Sequence, residues 1–98
     1  MTIELTRFDA ADYLTEVEDQ AELLAAALDT GEAHAVAKAI GIVARARGMS
    51  GVAEAAGIKR QMLYRTFSED GNPTLETLLK VLPVLGLRMR IEVAASAA

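Results

Sequence analysis

The chain has 98 residues, a formal net charge of −4, 52% apolar residues and no cysteine or tryptophan. That length fits one small domain with a modest core, and the Ala/Leu/Val-rich composition favours packed helices over a β-sandwich. Without cysteine there is no disulfide, thiolate metal site or cysteine nucleophile, and no apolar run approaches the roughly 20 residues that span a bilayer.

Charge is unevenly spread along the chain. Residues 1–33 hold nine carboxylates against Arg7 alone, whereas residues 34–67 hold six basic side chains against Glu54 alone. An acidic arm (1–33) packed on a basic body (34–98), together one structural domain, is expected, and such asymmetry points to two different partners. The acidic and polar start, Met1-Thr2-Ile3-Glu4, is unlike a signal peptide. A cytoplasmic location without membrane partners is expected.

Thr2-Ile3-Glu4-Leu5 alternates polar and apolar residues and predicts a short strand. Asp9 is placed to cap a brief helix through Leu14. Val17, Ala21, Leu24 and Leu28 follow at helical spacing and predict an amphipathic helix ended by Asp29-Thr30-Gly31. The next helix is predicted from about Glu32 to Arg47, with Val36, Ile40 and Val43 buried and Gly48 closing it.

The most informative stretch is 50–67. Ser50 is expected to cap a short helix, and Gly57 supplies the positive φ at which that helix stops. Val52, Ile58 and Leu63 are apolar where two crossing helices need inner contacts, and Ala53 is small enough for a close crossing. Lys59, Arg60, Gln61, Tyr64 and Arg65 then fall on the outer side of the second helix. This is the layout of a helix-turn-helix, whose second helix enters the major groove of DNA. Arg60 and Gln61 are placed to meet base edges, since Arg forks onto guanine O6/N7 and Gln onto adenine N6/N7. Tyr64 and Arg65 are the next outward positions, Lys59 suits a phosphate, and Ser50 completes the expected DNA-binding set. The plainer reading is a solvated basic helix face; the surrounding motif favours DNA.

Residues 68–73 form a predicted loop rich in turn residues. Leu75, Leu78, Leu79, Leu82 and Leu85 predict a last helix started by Asn72 or Thr74, bent or cut short at Pro83 and ended near Gly86. Leu87-Arg88-Met89-Arg90-Ile91-Glu92-Val93 alternates strictly and predicts a C-terminal strand. A lone strand is unstable in water, so its partner is either Thr2–Leu5 or the same strand of a second copy.

Residues 48–93 resemble Xre/Cro-type (lambda-repressor-like) helix-turn-helix domains. The runs Leu63-Tyr64-Arg65, Asp70-Gly71-Asn72-Pro73-Thr74-Leu75 and Leu78-Leu79-Lys80-Val81-Leu82 resemble the HigA-like antitoxins, the antidotes of addiction modules. Phe8-Asp9, Tyr13-Leu14, Glu18-Asp19 and Ala25-Ala26-Ala27-Leu28 extend the resemblance across nearly the whole chain. It implies a homodimeric repressor that binds an inverted repeat in its own operator and neutralises a small basic toxin of the RelE/HigB kind, an mRNA-cleaving ribonuclease. Two positions depart from the pattern. Gly51 stands where relatives often carry Gln, and Thr66-Phe67 where a smaller pair is usual.

The acids Asp9, Asp12, Glu16, Glu18, Asp19, Glu22, Asp29 and Glu32 offer a docking face for a basic toxin, or an ordinary solvated face whose Glu18 and Asp19 complement a helix start. No catalytic site is expected: His34 is the sole histidine, and no serine sits in a nucleophile elbow. No metal or cofactor is expected either, because the carboxylates lack a second ligand type. The alternatives to an antitoxin are a stand-alone Xre-family repressor and a protein-interaction module that does not bind DNA.

Overall fold

The second helix is the hub on which the others pack. The computed structural model describes residues 15–95, which form helices α1 (Val17–Asp29), α2 (Ala33–Arg47), α3 (Met49–Ala56), α4 (Arg60–Thr66) and α5 (Leu75–Val84). α2 touches α1, α3 and α4, and α3 also packs on α5. The predicted Thr2–Leu5 strand and Asp9–Leu14 helix lie outside the described residues. No described helix is long and apolar enough to cross a membrane.

α1 ends where expected. The Thr30 hydroxyl donates to Ala27 O, and Gly31 adopts φ +72°. Its buried face is rotated from the expected one: Gln20, Leu24 and Ala27 point inward, while Val17 and Leu28 are exposed. The rotation has a polar cause. Arg47 Nε donates to Gln20 Oε1 at 3.1 Å, so an amide can occupy a core position at little cost.

α2 buries Ile40 and Val43 as expected, with Val36 half-buried, and adds Ala37, Ala39 and Ala44. These small side chains let its neighbours approach. Closest is Phe67: a Cβ at Gly41 would overlap its carbonyl oxygen. Phe67, larger than the residue usual there, is itself 3% exposed and belongs to the core with Leu63, Val81 and Leu85.

Gly48 closes α2 through its N–H to Ala44 O (2.8 Å), at φ +102°, and its own carbonyl accepts the first intrahelical bond of α3, from Val52 N. Gly48, not Ser50, is therefore the residue that caps α3. Ser50 lies one residue inside the helix because Met49, 6% exposed, is drawn into the core and pulls the start forward. α3 stops as expected at Gly57, φ +73°, and Ile58 N donates back to Ala53 O at 3.0 Å in a Schellman-type closure.

At α5 the choice between two caps falls to Thr74, whose Oγ1 accepts from Thr77 N at 3.1 Å. Pro83 lies in its last turn, and the helix ends one residue later. Leu87 N donates to Leu82 O at 2.9 Å, and Gly86 takes φ +76°.

The expected strand at 87–93 does not form. Residues 87–94 run with no ladder, Ile91 and Val93 standing fully in solvent. Its alternation is still that of a strand; what is missing among the described residues is a second edge to bond, without which extended backbone has only water as partner.

Candidate nucleic-acid interface

α4 turns two different faces outward. Leu63 and Phe67, four residues apart, fix the inner side. With 3.6 residues per turn, Arg65 projects about 180° from that seam and Gln61 lies beside it. Both are exposed, as are Lys59, Arg60 and Tyr64. Arg60 and Tyr64 share the flank nearer α3. There the Arg60 guanidinium stands 5.5 Å from the Tyr64 ring centroid and donates an Nη2–H to the phenol oxygen at 3.3 Å. The pair holds Arg60 along the helix rather than leaving it to wander, so less side-chain entropy remains to be lost on engaging a ligand.

Arg60 and Tyr64 form one wall of a concavity. The opposite wall is the end of α2 and the first turn of α3, with Arg45, Ser50 and Gly51 on its lining. Ser50, misassigned as a cap, is nonetheless brought to the same place as Arg60 and Tyr64. Its backbone N–H, with those of Met49 and Gly51, lies in the opening turn of α3, where intrahelical acceptors are lacking and the macrodipole is positive. An anion resting in the concavity would face amide donors on one side and guanidinium groups on the other. Lys59, Gln61 and Arg65 lie outside the concavity, on the convex part of α4. Six residues expected together are thus divided into a cleft set and a ridge set.

Two cations of the basic body have partners within the chain. Arg47 lines the concavity, but its guanidinium is held by Gln20 Oε1 and Leu85 O (2.8 Å), so it ties α1, α2 and the end of α5 together. Lys38 sits 3.6 Å from Glu69, both well exposed. Arg45, not singled out from sequence, does line the cleft. Its place in the last turn before Gly48, only five residues from Ser50, was the available signal. Where α2 stops and α3 starts at one glycine, the end of one helix borders the beginning of the next.

The acidic side chains of α1 are exposed: Glu18, Asp19, Glu22 and Asp29 all face solvent. Among the helices α1 contacts α2 alone, so its acids are not packed against α3 or α4. Asp9 and Asp12 lie outside the described residues. His34 Nε2 is 3.1 Å from Glu32 Oε1 at the exposed start of α2. Among the described residues no group of three or more His, Cys, Asp or Glu is arranged to hold a metal ion.

Residues 4–93 match the family model described as a probable addiction module antidote protein. The chain is also similar to an uncharacterized protein of Haemophilus influenzae, at 39% identity over 92 residues, covering 94% of this chain and 95% of the relative. No solved structure matches it.

Proposed function

The chain belongs to the family of probable addiction module antidote proteins, and from that premise we propose that it is the DNA-binding antitoxin of a type II toxin–antitoxin module. α3 and α4 act as a helix-turn-helix of the Xre/Cro type in a HigA-like, lambda-repressor-like domain. The observation that carries the reading is the outward cationic α4, with Gln61 and Arg65 exposed on its convex side and Arg60 exposed beside the first turn of α3.

In this reading the ridge enters the major groove. Arg65 and Gln61, on the side of α4 away from the core, meet base edges, and Lys59 meets a phosphate. The cleft formed by Arg45, Ser50, Arg60 and Tyr64 takes the phosphate backbone at the groove's lip. The protein works as a homodimer on an inverted repeat with half-sites about 10 bp apart or a multiple of that, repressing its own operon. The exposed acids of α1 attract a small basic toxin of the RelE/HigB kind, since opposite potentials speed encounter. The antitoxin has no catalytic role of its own.

The test is a gel shift on the DNA upstream of the reading frame at two salt concentrations. Affinity is expected to fall steeply with salt, Arg65→Ala to weaken specific binding by about 1–3 kcal/mol, and Arg60→Ala to weaken binding to all sequences alike and lower the salt slope by about 1. Unchanged affinity in both variants overturns the DNA assignment and leaves a protein-interaction module. Co-expression with the adjacent reading frame supplies the second arm. Rescue of growth with co-purification supports the antitoxin, whereas DNA binding without rescue makes the protein a stand-alone regulator.

A further inference from the structure

Residues 87–93 carry an apolar edge that none of the described residues covers. Met89 is 41% exposed, Ile91 101% and Val93 88%. Leu87 N is the last backbone donor of the segment that bonds to the described residues, and beyond it no backbone–backbone hydrogen bond is made to any of the described residues. Leu87, Met89 and Ile91 line a groove whose other wall is Ala25 and Leu28 of α1, and Leu28 is 54% exposed. An extended segment that forms no ladder with the described residues and carries an unburied apolar row is a template for another strand.

The charges on the other face select the occupant. In an antiparallel pair, directly opposed side chains lie on the same face, so a two-fold axis must pass through a residue rather than between two, or Leu, Met, Ile and Val would oppose Arg and Glu. Four centres can be compared. About Met89, Arg88 faces the partner's Arg90 twice. About Arg90, that residue faces its own copy. About Glu92, two carboxylates meet. About Ile91, Arg90 faces the partner's Glu92 at both symmetric positions, Ile91 packs on the partner's Ile91, and Met89 on the partner's Val93. That register sets no like charges opposite one another, puts every opposed apolar pair of 89–93 in contact, and leaves Arg88 opposite the partner's Ala94.

We propose that the chain dimerises through antiparallel pairing of residues 88–94 with a second copy, about a two-fold axis at Ile91. This rests on the homodimeric reading above and gives it a surface. The pairing joins two extended edges into a ribbon and removes Ile91 and Val93 from water, the two most exposed large apolar side chains of the described residues.

The absence of cysteine from the chain permits a clean test. In the full-length protein, Ile91→Cys places two thiols directly opposite, with Cα atoms about 4.5–5.5 Å apart, inside disulfide range. Val93→Cys places them four residues out of register, roughly 13 Å apart. Mild oxidation is expected to cross-link the first into a covalent dimer and not the second. Equal cross-linking of both, or of neither, overturns the register. Arg90→Glu and Glu92→Arg, each creating two like-charge pairs, are expected to raise the dimer dissociation constant roughly tenfold, and the double exchange to restore it. A double variant no better than the singles, or a monomer by sedimentation at every concentration, overturns the proposal, as would be seen if 87–93 paired with residues 2–5 of the same chain. All four positions are exposed, so the helical circular dichroism should be unchanged. The gel shift separates the two readings: a monomer that still retards its upstream DNA removes the dimer surface alone, and a cross-linked dimer that retards nothing removes the DNA reading alone.

Discussion

Arg47→Ala is the substitution that best separates a cation serving the fold from one serving a ligand. The guanidinium donates Nε–H to Gln20 Oε1 at 3.1 Å and Nη2–H to Leu85 O at 2.8 Å. It thereby ties α1 to the ends of α2 and α5. Gln20 is 1% exposed, so its amide oxygen loses a partner where water does not reach it. A hydrogen bond from a charged donor contributes about 1.5–3 kcal/mol, and a stranded buried acceptor costs about 1–3 kcal/mol. Arg47 itself retains solvent contact, which pulls the sum to the lower part of that range, about 2–4 kcal/mol. At about 4–8 °C per kcal/mol for a domain of this size, Tm should fall by roughly 8–32 °C in a thermal melt followed by circular dichroism. Arg47→Lys keeps the charge but not the two-pronged geometry, so it should recover less than half of the loss. Combined with Gln20→Leu, which removes the buried acceptor, Arg47→Ala should cost less than the two single changes added together, by about 1–2 kcal/mol. If Arg47→Ala melts within about 3 °C of the wild type, or if the pair is additive, the tie is not part of what holds the helices together. Arg47 would then belong with the ligand-facing cations.

Three further substitutions probe the helix contacts. Gly41→Ala forces a methyl group into the Phe67 carbonyl and should lower the urea midpoint by an amount equivalent to about 1–3 kcal/mol, because backbone rather than a flexible side chain must move. Gly51 is the opposite case: it lies inside α3 with open space around its Cβ position, so Gly51→Ala should raise stability by about 0.5–1 kcal/mol. Gly51→Gln should keep most of that gain and tighten DNA binding in a gel shift by adding an amide at the rim of the cleft. Thr74→Ala removes the acceptor for Thr77 N and should cost about 1 kcal/mol in equilibrium unfolding, with Thr74→Ser restoring it.

Periodicity made the helices legible. Ile40, Val43, Leu63 and Leu82 are apolar at helical spacing and are buried, and Gly31, Gly48, Gly57 and Gly86 each take the positive φ that ends or follows a helix. Apolarity alone misplaced the inner face of α1, because the residue that completes it is Gln20. A glutamine becomes a core residue only when something far along the chain satisfies its amide, and Arg47 is 27 positions away. The start of α3 was misread for a related reason. Ser50 has the better capping side chain, but burial of Met49 and the backbone freedom of Gly48 outweigh a capping bond worth about 1 kcal/mol. The cleft beside α4 was half legible: local spacing turned Arg60 and Tyr64 outward, but only the fold brings Arg45 and Ser50 alongside them. The C-terminal segment has a strand's pattern without a strand's ladder, because a ladder is a property of two segments and one sequence pattern specifies only one of them.

The arrangement of charge bears on how one short chain could meet two partners of opposite sign. α2 lies between α1 and α4 and touches both, while α1 has no contact with α3 or α4. The carboxylates of α1 and the cations of α4 are thus presented from separate helices across a core of Ile40, Val43 and Leu63. At physiological salt, charges further apart than about 8 Å screen one another substantially through solvent. Two oppositely charged faces on a small domain can then act with little mutual cancellation, provided that no long side chain bridges them. Arg47 is exposed, but its bonds to Gln20 and Leu85 fix its guanidinium against the ends of α2 and α5. A free arginine there would place a positive charge at the edge of the acidic face. The tie that stabilises the helices also keeps the two faces electrostatically distinct, so loosening it should weaken the attraction of α1 for a basic partner as well as the fold.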